Sequence, residues 1–409
     1  MEEKSRRPKI GVSKEGEWVK HKLSDILFIS NEKNDGQYSG DDVLAASLGT
    51  ELEKKHIYFG LRATEESVKK YKVVKPGDVI YTKSPIKGFP NGIIRTNKGD
   101  AGIVPTLYCV YRCSNEINPS IIQAYFEDKG RLDKYLVPLV NVGARNNVNI
   151  TDKEFLNGTI CIPKDVVEQS EIVKTVEEIS KLISIHQQEL NRLVCVRKAM
   201  VDKMFPQNGN DVPEVRFAGF NTPWKLCPFS EIFTERHVID TVSEEYPQLS
   251  FTIEEGVIRP EDRKTNRRDF LILDKENKKY LQTEYDDIIY NPANVIFGAI
   301  HRNALGKGCV SPIYKIFYTD QDSAFMECIV RHPRFIKEIS RSMEGTVKKL
   351  RTLKPKAFLE MSAYIAPTIE EQKQIGEFFR QIDCLIEIEK EELEKIKHIK
   401  SACLEKMFV

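Results

Sequence analysis

Glu168-Gln169-Ser170-Glu171-Ile172 opens a stretch that runs without proline to Lys203-Met204-Phe205, and Glu371-Gln372-Lys373-Gln374-Ile375 opens a second that ends on Lys406-Met407-Phe408. The two align without a gap at a fixed offset of 203 residues, with about a third of the positions identical. Apolar residues recur in each at spacings of three, four and seven: Ile172, Val176, Ile179, Leu182, Ile183, Leu190, Leu193, Met200 and Met204, then Ile375, Phe378, Phe379, Ile382, Leu385, Ile386, Leu393, Ile396, Ile399, Cys403 and Met407. That period predicts two helices, each roughly 55 Å long at 1.5 Å per residue. Such a length suits a coiled coil better than an ordinary globular helix, and two in one chain pair most simply antiparallel.

The repetition extends outward. The only two tryptophans open matching phrases, Trp18-x4-Leu23-Ser24-Asp25-Ile26 and Trp224-x4-Phe229-Ser230-Glu231-Ile232. Asp78-Val79-Ile80-Tyr81 and Thr106-Leu107-Tyr108-Cys109-Val110-Tyr111 read as strands, rich in β-branched and aromatic residues. Asp287-Ile288-Ile289-Tyr290, Gly298-Ala299-Ile300 and Gly308-Cys309-Val310 echo anchors of the first half, whereas the loops between them do not match. A period this long is no solenoid. The expected fold is α+β: two mixed α/β domains in a pseudo-twofold repeat, separated by two long helices pairing as an antiparallel coiled coil. The boundaries read as domain 1 over 1–160, helix 1 over 161–206, domain 2 over 207–365 with a linker at 206–213, and helix 2 over 366–409.

Of the 409 residues, 41% are hydrophobic and 30% charged, the composition of a soluble globular protein. No apolar run approaches the roughly 20 residues that span a bilayer. Met1-Glu2-Glu3-Lys4-Ser5-Arg6-Arg7 lacks the apolar core of a signal peptide, which points to the cytoplasm. Nine scattered cysteines, with Cys109-x3-Cys113 the closest spacing, fit free thiols in a reducing compartment and no zinc site. A net charge of +1 excludes a polybasic wrapper of nucleic acid, yet residues 54–98 hold eleven Lys/Arg against three acids and 331–356 hold nine against two. Local basic stretches on a neutral chain suit selective docking on phosphate.

These features together resemble the specificity subunit of Type I restriction–modification systems, over essentially the whole chain. The motifs that carry the resemblance are the duplicated Glu-Gln entry and Lys-x-Met-Phe-like exit of each helix, and the junction Pro213-Glu214-Val215-Arg216-Phe217-Ala218-Gly219-Phe220 before Trp224. The resemblance implies two target recognition domains that each read half of a bipartite, asymmetric DNA sequence, and spacer helices that set the gap between the halves. It implies two methyltransferase subunits that modify adenine N6 with S-adenosylmethionine, and two restriction subunits that use ATP and Mg²⁺, in antiphage defence. It further implies that this chain has no catalytic residue, binds no cofactor and holds no metal.

The residues agree with a non-catalytic part. Asn291-Pro292-Ala293-Asn294 lacks the second proline and aromatic stacker of an adenine methyltransferase, and reads as a strand-end turn. There is no Gly-x4-Gly-Lys-Ser/Thr phosphate loop. Asp78 with Lys83 is the one pairing suggestive of a nuclease, and the second copy has Asp287 with Pro292 there. A coiled-coil interaction scaffold and a self-contained restriction enzyme are the alternative classes.

For DNA contact, loop Arg, Lys, Asn and Gln are the natural readers. The candidates are Lys83, Lys87, Arg95 and Lys98 in domain 1, and Arg302 and Lys307 in domain 2. Arg145, Asn146 and Asn147 in Gly143–Val148, and Lys348 and Lys349 in Gly345–Leu350, lie on turns shortly before each helix. The helix-pairing or partner-facing candidates are Ile172, Ile179, Leu182, His186, Leu193, Ile375, Ile382, Leu385, Glu389 and Ile396. His186 and Glu389 hold one repeat position at the waist of the coil, either as a register-fixing polar layer or as two solvent-facing residues.

Overall fold

The structure is a computed structural model, and it describes residues 17–46, 52–54, 65–86, 88–139, 141–142, 148–207, 209–263, 278–343 and 351–408. The chain forms two compact units, Met1–Glu189 with Glu389–Val409, and Leu190–Ile388. The two long helices, Val166–Met204 and Ile369–Met407, therefore each contribute to both units.

In the first unit Trp18–Lys22 pairs antiparallel with Thr159–Pro163, which closes the domain onto the start of the first long helix. The strand Thr159–Pro163 thus crosses the position 160 at which the sequence reading ends this domain. A four-stranded antiparallel sheet follows the order Leu27–Ile29, Tyr108–Cys113, Val79–Thr82, Ile94–Thr96. Alternation along its strands divides two cores. Val79, Tyr81, Cys109 and Tyr111 pack with Ile121, Ile122 and Phe155, whereas Ile80 and Val110 pack with Leu44, Val74 and Val104. The strand expected over Thr106–Tyr111 begins only at Tyr108. Tyr108 N–H donates to the Pro105 carbonyl, making Pro105 to Leu107 a turn after the separate strand Gly102–Val104.

The second unit repeats this plan. Lys225–Pro228 pairs with Ser362–Ile365, and the four-stranded order is Phe233–Glu235, Lys315–Thr319, Ile288–Tyr290, Ile300–Arg302. Ile288, Tyr290 and Phe317 face one core, Ile289 and Ile316 the other.

The repeated glutamine has a structural reason. Gln169 donates to the Pro163 carbonyl (2.8 Å) and accepts from the backbone N–H of Asn118 (2.8 Å), the residue that caps helix Pro119–Phe126. Gln372 donates to the Ala366 carbonyl (2.8 Å) and accepts from the N–H of Asp322 (3.0 Å), which caps helix Ser323–Val330. Each buried amide thus ties three elements together at the entry to a long helix, where an unpaired polar group would be costly.

Within each unit the long helices run antiparallel. In the first, Ile172, Val173 and Val176 share a core with Leu404, Met407 and Phe408. In the second, Val201, Met204 and Phe205 share one with Ile375 and Phe379. Ile382 and Leu393 are buried, and Ile179, Leu193 and Ile396 half-buried. His186 Nδ1 lies 2.6 Å from Glu389 Oε1 in the first unit. Leu182 and Leu385, expected as helix-pairing or partner-facing residues, are 47% and 51% exposed, on the outward side of their helices.

Candidate nucleic-acid interface

Hairpins with different loop contents stand at the same place in each domain. In the first, Val79–Thr82 returns as Ile94–Thr96. Gly92 permits the return: its φ is +86°, and a Cβ there would come within 1.8 Å of the Thr82 carbonyl oxygen. In the second, Ile288–Tyr290 returns as Ile300–Arg302. The loop opens on an Asn291 turn whose carboxamide oxygen accepts from Ala293 N–H (3.0 Å) and Asn294 N–H (3.2 Å).

The cations expected to meet DNA fall into several classes. The Lys83 ammonium lies 3.2 Å from Asp152, which also holds Lys72 at 2.9 Å and accepts from the Cys109 thiol at 2.9 Å. Burial alone would raise the Asp152 carboxyl, but the thiol and the two ammonium groups outweigh it and hold it below its ordinary value. Lys98 pairs with Glu177 of the first long helix at 2.6 Å. Lys307 is an exposed lysine paired with Glu245 and placed over the Tyr246 ring at 5.3 Å.

Arg95 and Arg302, two of the expected DNA-contact residues, are largely buried. Arg95 is only 6% exposed and donates to the Ile94 carbonyl at 3.0 Å. Arg302 is 8% exposed at its side chain, 2.7 Å from Asp286 and 3.6 Å from Glu327. Little of either side chain reaches solvent, although Arg95 lines a cleft of the first unit. Lys87, Arg145, Asn146, Asn147, Lys348 and Lys349 lie outside the described residues.

The acidic residue suggestive of nuclease chemistry is a turn cap in both copies. Asp78 accepts from the backbone N–H of Lys75 at 2.8 Å, and Asp287 from that of Glu284 at 2.7 Å. Burial raises both carboxyls, an effect their hydrogen bonds offset only in part. Among the described residues no three His, Cys, Asp or Glu converge as metal ligands. Cys109 and Cys113 are free thiols, and burial pushes Cys109 up to about 11. No helix among the described residues is long and apolar enough to cross a membrane.

A cleft of about 680 Å³ lies in the first unit, lined by Arg95, Lys98, Gln123 and Glu127 of the domain, Glu177 of the first helix and Lys400 of the second. Lys400 reaches Glu127 at 2.5 Å. Its repeat counterpart Arg197 instead pairs with Asp383 (3.0 Å to Oδ2) and stands over the Phe379 ring at 5.8 Å. Phe379 is buried where the first copy has only Val176, so the small residue leaves the space open there.

One feature was read only in part from the sequence, which named Leu182 and Leu385 among the helix-pairing or partner-facing candidates but not their neighbours. Leu182, Ile185 and Val196 are 42–50% exposed on the first long helix, and Leu385, Ile388 and Ile399 are 51–54% exposed on the second. The two triplets occupy identical repeat positions, and spacings of three and eleven keep each on one helix face. The signal was present in the 203-residue offset, but helical period alone cannot say which of two apolar stripes faces inward.

No protein-family model matches the chain. Three solved structures are similar over nearly its whole length. The Type I restriction–modification S subunit from M. genitalium has a TM-score of 0.61 at 13% identity, covering 99% of both chains. The HsdS subunit from Thermoanaerobacter tengcongensis has a TM-score of 0.40 at 16% identity, covering 96% of both. A chain from a structure on complex assembly and conformational transition of the type I R-M system has a TM-score of 0.46 at 14% identity, covering 96% of this chain and 97% of that one. The first of these, matched from end to end, identifies the fold of the present chain as that of a Type I restriction–modification S subunit.

Proposed function

We propose that this chain is the DNA-recognition subunit of a cytoplasmic Type I restriction–modification complex. It reads a bipartite, asymmetric target, one half per domain, and docks two adenine-N6 methyltransferase subunits and two restriction subunits. S-adenosylmethionine, ATP and Mg²⁺ belong to those partners, and the chain itself is non-catalytic. The observation that carries the reading is the end-to-end likeness of fold to a Type I S subunit. Two further features support it. A repeated scaffold bears unlike loops, as two independent readers would. The duplicated apolar triplets on the long helices suit a partner bound in two copies, since exposed apolar patches mark interaction sites.

Genome-wide mapping of N6-methyladenine with and without the gene tests the proposal. The expected outcome is one gapped, asymmetric motif whose methylation vanishes with the chain, and an unchanged methylation pattern would overturn it. Docking is tested separately. Leu182→Glu with Ile185→Glu, and Leu385→Glu with Ile388→Glu, should leave the chain folded and abolish co-purification of the methyltransferase. DNA contact is proposed for the segments before each helix: Lys348→Ala with Lys349→Ala should weaken binding and lower the salt slope by about one unit per lost phosphate contact.

A further inference from the structure

Residues 331–356 hold nine Lys/Arg against two acids, and part of that charge is arranged on one element. Pro333–Ser342 forms a helix capped by His332, whose ring nitrogen accepts from the Arg334 N–H at 3.2 Å. Phe335 and Ile339 turn one face of it into the core of the second unit. Arg334, Lys337 and Arg341 are exposed on the other, at spacings of three and four that keep them in one row. Arg334 also donates to Gln207, and Glu338 is the one acid of the helix.

The same core seats a neighbouring loop. Between strands Ile288–Tyr290 and Ile300–Arg302 a short helical turn, Val295–Phe297, ends on Gly298 at φ +91°. Val295 is fully buried in one cluster with Phe335 and Ile339, and Ile296 packs against that cluster. The start of the loop is tied down by the N–H of Leu353, which lies between Arg351 and Lys354 and donates to the Pro292 carbonyl at 3.0 Å. Phe297 is left 67% exposed, more than any other large hydrophobic side chain among the described residues. An anchored loop thus holds a bare phenyl ring against a helix that presents a row of cations.

The first unit has no such arrangement. In its corresponding helix, Lys129–Leu136, Lys129 pairs with Asp133, and Arg131 reaches the Leu404 carbonyl (2.9 Å) over the Phe408 ring. The corresponding loop carries Phe89, which is half-buried at the wall of the cleft described above.

The row from Arg334 to Arg341 spans about 10 Å at 1.5 Å per residue. That matches about three phosphates of one strand, at 3.4 Å of rise per base pair. We propose that helix Pro333–Ser342 lies along one strand of duplex DNA, with each of its three cations on a phosphate, and that Phe297 enters the adjoining groove and wedges into a base step. The inference rests on the DNA-recognition reading and gives the second domain two separate tasks. The cations set position without sequence preference, whereas the ring favours a step that unstacks readily. Cations and an aromatic ring together fit a nucleic acid better than an acidic protein face, since phosphate answers the one and the face of a base the other.

Fluorescence and salt titrations of the complete complex test it, on duplexes carrying the mapped motif with 2-aminopurine scanned through both half-sites. The wild-type complex should raise the 2-aminopurine signal at one step. Phe297→Ala should abolish that rise and weaken binding by about tenfold, the scale of one lost aromatic stack, at an unchanged salt slope. Phe297→Trp should restore both. The triple variant Arg334→Gln, Lys337→Gln and Arg341→Gln should lower the salt slope by about three units and weaken target and unrelated duplexes alike. All four side chains are exposed, so every variant should keep the wild-type melting temperature. A persisting 2-aminopurine rise in Phe297→Ala, or an unchanged salt slope in the triple variant, sinks this inference while leaving DNA recognition standing. Intact DNA binding with loss of a partner subunit also sinks it, by making the face a protein interface. A wild-type complex that prefers no gapped duplex removes the DNA-recognition reading, and this inference with it.

Discussion

Single residues in this chain take their meaning from the copy they belong to. Arg216 shows the cost of a buried charge most directly: its partner Glu371 is wholly out of water, so Arg216→Ala should destabilise the second unit by about 3–5 kcal/mol in urea unfolding. Arg216→Lys should recover only part of this, since an ammonium cannot make the bidentate bond. His301 gives a pH signature. It is 3% exposed, its Nε2 lies 2.8 Å from the Ile253 carbonyl, and burial, with Arg331 adding to it, lowers it from 6.5 to about 4. Between those values the unfolded chain binds a proton that the folded unit does not, so stability falls as pH falls through that window. From pH 7 to pH 5 the second unit should lose about 2 kcal/mol through this residue. His301→Gln should remove that part of the slope, and an identical slope in wild type and variant would exclude the assignment.

At the scale of elements, the long helices carry two apolar stripes of different purpose. Phe379 faces the core of the second unit among Phe205, Phe325 and Trp224, so Phe379→Ala should cost about 3–5 kcal/mol of that unit's stability by denaturant midpoint. The outward triplet at Leu385, Ile388 and Ile399 should behave oppositely, with polar replacements leaving the midpoint within about 0.5 kcal/mol. The hairpins Val79–Thr82 with Ile94–Thr96 and Ile288–Tyr290 with Ile300–Arg302 show a similar division, with buried strands and loops that differ in sequence.

At the scale of the molecule, the first unit is built from two separate pieces of chain, whereas the second is one continuous stretch. The last helix supplies Leu404, Met407 and Phe408 to the core of the first unit. A stop codon in place of Glu389 should therefore cost the first unit its cooperative unfolding while the second, whose segments all precede it, keeps its own transition. Equal loss in both would show that the units are not separable in this way. On the function proposed above, exchanging residues 211–365 for the corresponding domain of a relative should change one half of the methylated motif and preserve the other.

Much of the fold was legible in the sequence, for identifiable reasons. A 203-residue offset held over a proline-free heptad-like pattern leaves no register but that of two equivalent helices, and repeated tryptophan and strand anchors fix two equivalent domains. The Glu-Gln phrase was recognisable as a marker, yet its work could not be read. The amide bonds backbone groups at Asn118 and Asp322, some fifty residues earlier in the chain, which only the folded chain brings near. The candidate DNA-contact residues were the least legible. A basic loop residue and a buried strand arginine look alike in sequence, and only alternation within the completed sheet turned Arg95 and Arg302 inward. The two copies of a motif also need not finish alike. Sequence placed Glu168 and Glu371 at one position, but only the folded chain brings Arg216 across the helix end to Glu371, whereas Glu168 Oε1 is buried with no hydrogen-bond partner among the described residues.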